Sequence, residues 1–142
     1  MRAISKIIVH HSASQKTTTP MTITAWHKER GFLTIGYHAV IYKTFDGTWT
    51  IAKGRPEAQI GAHCEKHNTG TLGICVCGNY ENEQMEVPAL EMLIDKLTEW
   101  CKAYSIKPTE IYGHRDMKST ACPGKNLYDS LIYVRGKVAE NV

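Results

Sequence analysis

The chain has 142 residues, 42% of them hydrophobic and 22% charged, a size and balance that suit one globular domain, residues 1–142, around a single core. Its formal net charge of +3 arises from 17 Lys and Arg against 14 Asp and Glu, interspersed rather than blocked, which excludes the basic stripe of a nucleic-acid binder. Five cysteines leave at least one unpaired, so synthesis in a reducing compartment is expected rather than a disulfide framework.

The first residues reach charge after few apolar positions, so neither a secretory signal nor a membrane span is expected. Lys6 to His10 reads as a short buried strand. Ile8 and His10 face one side of it, and Ile7, Val9 and His11 the other, so the adjacent histidines cannot serve one site through the same face. A helix is expected from Thr22 to Arg30, with Pro20 before it, Ile23 and Trp26 among its apolar positions and Gly31 as its C-terminal cap. Tyr37 to Lys43 and Thr48 to Ala52 flank Asp46-Gly47, a pair suited to the positive backbone angles of a hairpin turn.

Gly61 to Thr71 is polar and reads as loop, and Leu72 to Val76 as a central strand. In that run and just after it, Cys75 and Cys77 alternate with Ile74 and Val76 and are expected to be buried thiols, as is Cys101. From Pro88 a helix places Leu90, Leu93, Leu97 and Cys101 on one stripe, with Ile94 and Trp100 beside it. Glu110 to Tyr112 forms another short strand, and Leu127 to Val138 a closing helix with Leu127, Leu131 and Val134 inward. Strands interleaved with helices predict an α/β domain.

Seven histidines make any one of them a weak candidate for chemistry, so spacing has to choose. His114 ends a predicted strand, and Cys122 follows eight residues later across a polar segment that turns before Pro123-Gly124. Zinc accepts imidazole nitrogen and thiolate sulfur in a tetrahedron, and a catalytic site leaves the fourth position open. His10 supplies a third ligand if the first and last strands lie side by side.

Five motifs occur in order: Ile7-Ile8-Val9-His10-His11-Ser12; Gly36-Tyr37-His38; Gly61-Ala62-His63; Asn68 followed by Leu72-Gly73-Ile74; and Gly113-His114-Arg115-Asp116 through Thr120-Ala121-Cys122-Pro123-Gly124. Together they resemble the zinc N-acetylmuramoyl-L-alanine amidases, the family of phage amidase-type lysozymes and peptidoglycan recognition proteins. The resemblance spans nearly the whole chain and implies a central mixed sheet flanked by helices. It places one zinc ion on His10, His114 and Cys122, the same three residues that the spacing nominates, and a catalytic tyrosine on Tyr37, which would donate to an oxyanion as it forms.

Phage members carry a lysine two residues before the cysteine ligand. Thr120 stands there instead, as in many peptidoglycan recognition proteins, and offers a hydroxyl without a full charge; its alternative role is to brace the loop. The family's cleft histidine falls on His63 and a cleft-side amide on Asn68. Both are expected to bind substrate, His63 with proton transfer as a further role, and ordering of the Gly61–Thr71 loop is the alternative for either. The segment linked to stem-peptide preference corresponds to Gly54-Arg55-Pro56-Glu57, where neither familiar dipeptide is present.

The resemblance implies hydrolysis of the amide between N-acetylmuramic acid and L-alanine in bacterial peptidoglycan. The expected biology is a monomeric phage or prophage endolysin, made in the cytoplasm and released to the wall by a membrane-permeabilising partner. The alternatives are a non-catalytic peptidoglycan-binding module, a cytoplasmic enzyme recycling wall fragments, and a thiol hydrolase in which Cys122 attacks with His114 as base.

Overall fold

Short strands buried on both faces organise the molecule, whose computed structural model describes residues 2–142. The strands are β1 (Lys6–His11), β2 (Ala39–Lys43), β3 (Trp49–Lys53), β4 (Thr71–Val76) and β5 (Ile111–Gly113). They form one mixed sheet in the order β3-β2-β4-β1-β5. β1 runs parallel to both β4 and β5, β2 runs parallel to β4, and only β2 and β3 are antiparallel. This is the α/β architecture that the element pattern implies, with the Leu72–Val76 run at the centre of the sheet.

One face of the sheet carries Ile7, Val9, Ile41, Leu72, Ile74 and Val76. Against it lie α2 (Val87–Tyr104), through Leu93, Leu97 and Trp100, and α4 (Lys125–Asn141), through Leu127, Leu131 and Val134. The other face carries Val40 and Cys75, which with Cys77 meet Ile23 of α1 (Pro20–Glu29) and Ile35 beyond it. His10 belongs to this second face, as alternation with Val9 requires. All five cysteines are free thiols, and four of them, Cys64, Cys75, Cys77 and Cys101, are buried. No helix among the described residues is long and apolar enough to cross a membrane.

Three local expectations change. α1 starts at Pro20, two residues early, because Pro suits a first helical turn and Thr19 caps it by accepting from the Thr22 N–H at 3.2 Å. Gly31 does end it: at φ +92° it lets Phe32 N–H reach His27 O at 3.0 Å and its own N–H reach Lys28 O at 3.0 Å. In the hairpin only Gly47 takes a positive φ. Asp46 instead accepts from Thr48 N–H at 2.9 Å, so the turn is held by a carboxylate rather than by two left-handed residues. Trp26 is 41% exposed, and the inward position one helical turn after Ile23 belongs to His27.

Glu86, just before α2, ties that helix to the β2–β3 hairpin. Its carboxylate accepts from Lys43 Nζ at 3.0 Å, Trp49 Nε1 at 3.2 Å and Lys16 Nζ at 3.1 Å, which holds its pKa down to about 2 from 4.5. A carboxyl depressed in the folded state stabilises the fold above its unfolded pKa, and that stability is lost as pH falls through the folded value. Glu86→Gln is therefore expected to lower Tm at pH 7 by roughly 2–5 °C, a modest figure because the group is partly exposed. The deficit should shrink between pH 4.5 and about 2. Melting curves at pH 7 and pH 2.5 check this, and equal deficits at both would contradict it.

Candidate metal centre and cleft

Pairing of the first and last strands builds the site. β1 and β5 run side by side with Val9 opposite Gly113, so His114, the first residue of the short helix α3 (His114–Met117), emerges beside His10. Their rings lie 4.6 Å apart. α3 is set by Asp116, whose carboxylate accepts from Gly113 N–H at 3.0 Å and from Tyr128 O–H of α4 at 2.5 Å. The chain then doubles back. Ala121 O accepts from Gly124 N–H at 2.8 Å and from Arg115 Nη2 at 2.6 Å, and Thr120 Oγ1 accepts from Cys122 N–H at 3.2 Å. This fold-back leaves Cys122 Sγ 3.8 Å from His10 Nδ1. His11 turns away, and its Nδ1 accepts from Tyr80 N–H at 3.2 Å.

The donor atoms of His10, His114 and Cys122 all lie within 4.8 Å of one another. Zinc bonds to nitrogen and sulfur imply tetrahedral edges of roughly 3.3–3.6 Å, so a small contraction would complete the set. His114 supplies the strongest sign of a missing partner: both of its ring nitrogens are buried without any hydrogen bond. Such groups are costly to leave unmatched. Two imidazoles and a thiol, with both His114 nitrogens unmatched, fit zinc, which is commonly held by mixed N and S ligands.

Residues 1–125 match the family model for N-acetylmuramoyl-L-alanine amidase. The chain belongs to this family. It is 32% identical over 130 residues to the endolysin of Klebsiella phage KP32, covering 87% of this chain and 82% of that protein. It is 27% identical over 139 residues to peptidoglycan-recognition protein SC2 of Drosophila melanogaster, covering 90% and 72%. In structure it resembles N-acetylmuramoyl-L-alanine amidase LysC from Clostridium intestinale URNW, with a TM-score of 0.87 and 30% identity over 97% of this chain and 87% of that one.

In this amidase-family chain the triad opens onto a cavity of about 620 Å³. Tyr37, His63, Asn68 and Thr120 all line it, so every site residue named from the sequence is brought to one place. The Tyr37 ring lies 5.1 Å from that of His10. Asn68 Oδ1 accepts from the backbone N–H groups of His63 and Cys64 at 2.9 and 2.8 Å, so this residue orders the loop while it borders the cavity. Both ring nitrogens of His63 are engaged inside the protein, Nδ1 with His10 Nε2 at 2.9 Å and Nε2 with Thr71 Oγ1 at 3.2 Å.

Trp26 and His27 also resemble a family helix segment near the cleft, and α1 does reach the cavity, although no sequence signal singled out Arg30. His27 and Arg30 also line the cavity, and His27 Nδ1 accepts from Gly36 N–H at 2.8 Å. Spacing agrees, since His27 lies four residues after Ile23, on the inward stripe. In the Gly54–Glu57 segment, Arg55 donates to Ile35 O at 3.0 Å and Ile60 O at 2.8 Å. Glu57 accepts from Trp100 Nε1 at 3.0 Å and from Tyr104 O–H. These side chains hold the loops together.

Burial sets the protonation states. It drives the His10 pKa well below 6.5, assisted by His63 and His114, and lowers that of His63 to about 3, assisted by His38 and His114. His114 is lowered as well, by burial and then by Lys118. Neutral imidazoles are the form that binds a metal. Burial likewise raises Tyr37 well above 10, which keeps its phenol a donor at neutral pH. Cys122 is pushed up to about 12 by burial, against the His11 N–H that donates to its sulfur at 3.4 Å.

Proposed function

We propose that this chain hydrolyses the amide between N-acetylmuramic acid and L-alanine in bacterial peptidoglycan, with one zinc ion held by His10, His114 and Cys122. The observation that carries this reading is the convergence of those donors, with both His114 nitrogens unmatched, in the wall of a cavity that also contains Tyr37. Retention of the three ligands and the tyrosine favours an enzyme over a binding module. The likeness to phage endolysins supports lysis of the wall as the biological role.

Zinc in such a site polarises a carbonyl and lowers the pKa of bound water to about 7. The protein's own residues do the rest. The Tyr37 phenol donates to the carbonyl oxygen as negative charge develops there. Thr120 adds a weaker donor, because its oxygen accepts from Cys122 N–H while its hydroxyl hydrogen stays available to the cleft. Asn68 and His63 line the cavity in which the substrate would lie.

A thiol hydrolase with His114 as base is disfavoured by geometry: such a base must hydrogen-bond the attacking thiol, and neither His114 ring nitrogen makes a hydrogen bond. Protein purified without chelator is expected to contain about one zinc per chain, and stripping the metal should abolish release of dye-labelled peptidoglycan until zinc is restored. Full activity in metal-free protein would overturn the reading.

A further inference from the structure

A run of hydrogen bonds leads inward from the metal centre and has a readable direction. Thr71 Oγ1 lies 2.8 Å from His67 O and 3.1 Å from Asn68 O. Carbonyl oxygens accept only, so the single hydroxyl hydrogen of Thr71 points at them. Its oxygen must then accept from His63 Nε2–H at 3.2 Å. A neutral imidazole protonated at Nε2 has its lone pair at Nδ1, and His63 Nδ1 lies 2.9 Å from His10 Nε2. His10 therefore donates through Nε2–H, which leaves the lone pair on Nδ1, the nitrogen 3.8 Å from Cys122 Sγ.

The chain gives this ring its own slot. His63 is 8% exposed. A Cβ at Gly73 would fall 2.5 Å from His63 Cγ, and one at Gly61 would fall 2.8 Å from His63 Cδ2. Gly73 lies inside β4, the central strand, where glycine typically costs about 0.5–1 kcal/mol relative to alanine. A larger residue there would expel the imidazole. The other ligand histidine lacks any such partner, so orientation by an outer hydrogen bond is confined to His10.

We propose that His63 is a positioning residue: with Thr71 and the His67 carbonyl it fixes the tautomer and ring orientation of His10, so that Nδ1 is presented to the metal. The consequence for zinc rests on the reading above, while the tautomer itself does not. Outer partners of metal-bound histidines typically change affinity ten- to a hundredfold.

Two readouts test the proposal. Long-range 1H–15N correlations on the metal-free protein should show His10 protonated at Nε2 and His63 also at Nε2; protonation of His10 at Nδ1 would overturn the proposal even if zinc binds. Zinc affinity, measured by competition with a chromophoric chelator, should fall ten- to a hundredfold in His63→Leu. It should recover to within about threefold of the parent in His63→Asn, whose Oδ1 can replace Nδ1 as acceptor. Thr71→Val, which keeps the branched shape, should weaken zinc by several-fold and let His63 populate both tautomers, and it decides the matter if His63→Leu does not fold. Unchanged affinity in both His63→Leu and Thr71→Val, or equal losses in His63→Leu and His63→Asn, would overturn the proposal. A parent protein that binds no zinc would overturn the zinc reading, and the 15N spectrum would still decide the tautomer.

Discussion

Cys122→Ser is expected to remove zinc and hydrolysis together. The substitution keeps the size of the side chain, the fold-back held by Ala121 and Thr120, and a group for the His11 N–H to meet. What changes is the donor, since a neutral hydroxyl is a far poorer ligand than a thiolate. Affinity should fall by more than the roughly ten- to hundredfold that follows loss of an outer partner. Metal analysis and turnover measured on the same preparation check this. A variant with normal zinc and no turnover would reinstate the cysteine as a nucleophile.

Tyr37→Phe should separate binding from chemistry. The ring lies against His10 at 5.1 Å and His27 at 5.2 Å, and phenylalanine preserves both contacts. Zinc content and Tm should therefore stay near the parent values. Only the hydroxyl is lost, and removal of one donor to an oxyanion costs on the order of a hundred- to a thousandfold in kcat. Because burial raises the Tyr37 pKa well above 10, the phenol remains protonated through neutral pH, so its loss should lower kcat without reshaping the neutral part of the pH profile. Thr120→Val should cost less, since Thr120 is exposed and its oxygen already accepts from the loop backbone. Unchanged turnover in Tyr37→Phe on intact peptidoglycan would leave the tyrosine a structural role only.

The convergence of His10, His114 and Cys122 was legible in the sequence because strand alternation is a strong local rule. It assigned His10 and His11 to opposite faces, and His11 does turn away to Tyr80. The return of Cys122 to His114 also followed from spacing, although His114 begins α3 rather than ending β5. The amphipathic patterns of α2 and α4 located the larger core, because each buries a continuous stripe against one sheet face.

Other features depend on contacts between distant segments, and no local pattern encodes those. Trp26 reads as an inward residue on hydropathy alone, yet the inward place goes to His27, which satisfies Gly36 N–H nine residues away. Thr71 reads as the end of a polar loop, while in the fold its hydroxyl sets the direction of hydrogen bonding through His63 to His10. Asp46-Gly47 marked the hairpin correctly but not its turn, because the Asp46 carboxylate competes for Thr48 N–H.

The central claim concerns which bond is cut, and mass spectrometry of peptidoglycan digested with the purified zinc-loaded protein tests it most directly. The expected products are stem peptides with a free L-alanine amino terminus and glycan strands whose muramic acid carries a free lactyl carboxylate. New reducing sugar ends, cleavage within the stem peptide, or no products from zinc-loaded protein would contradict the assignment.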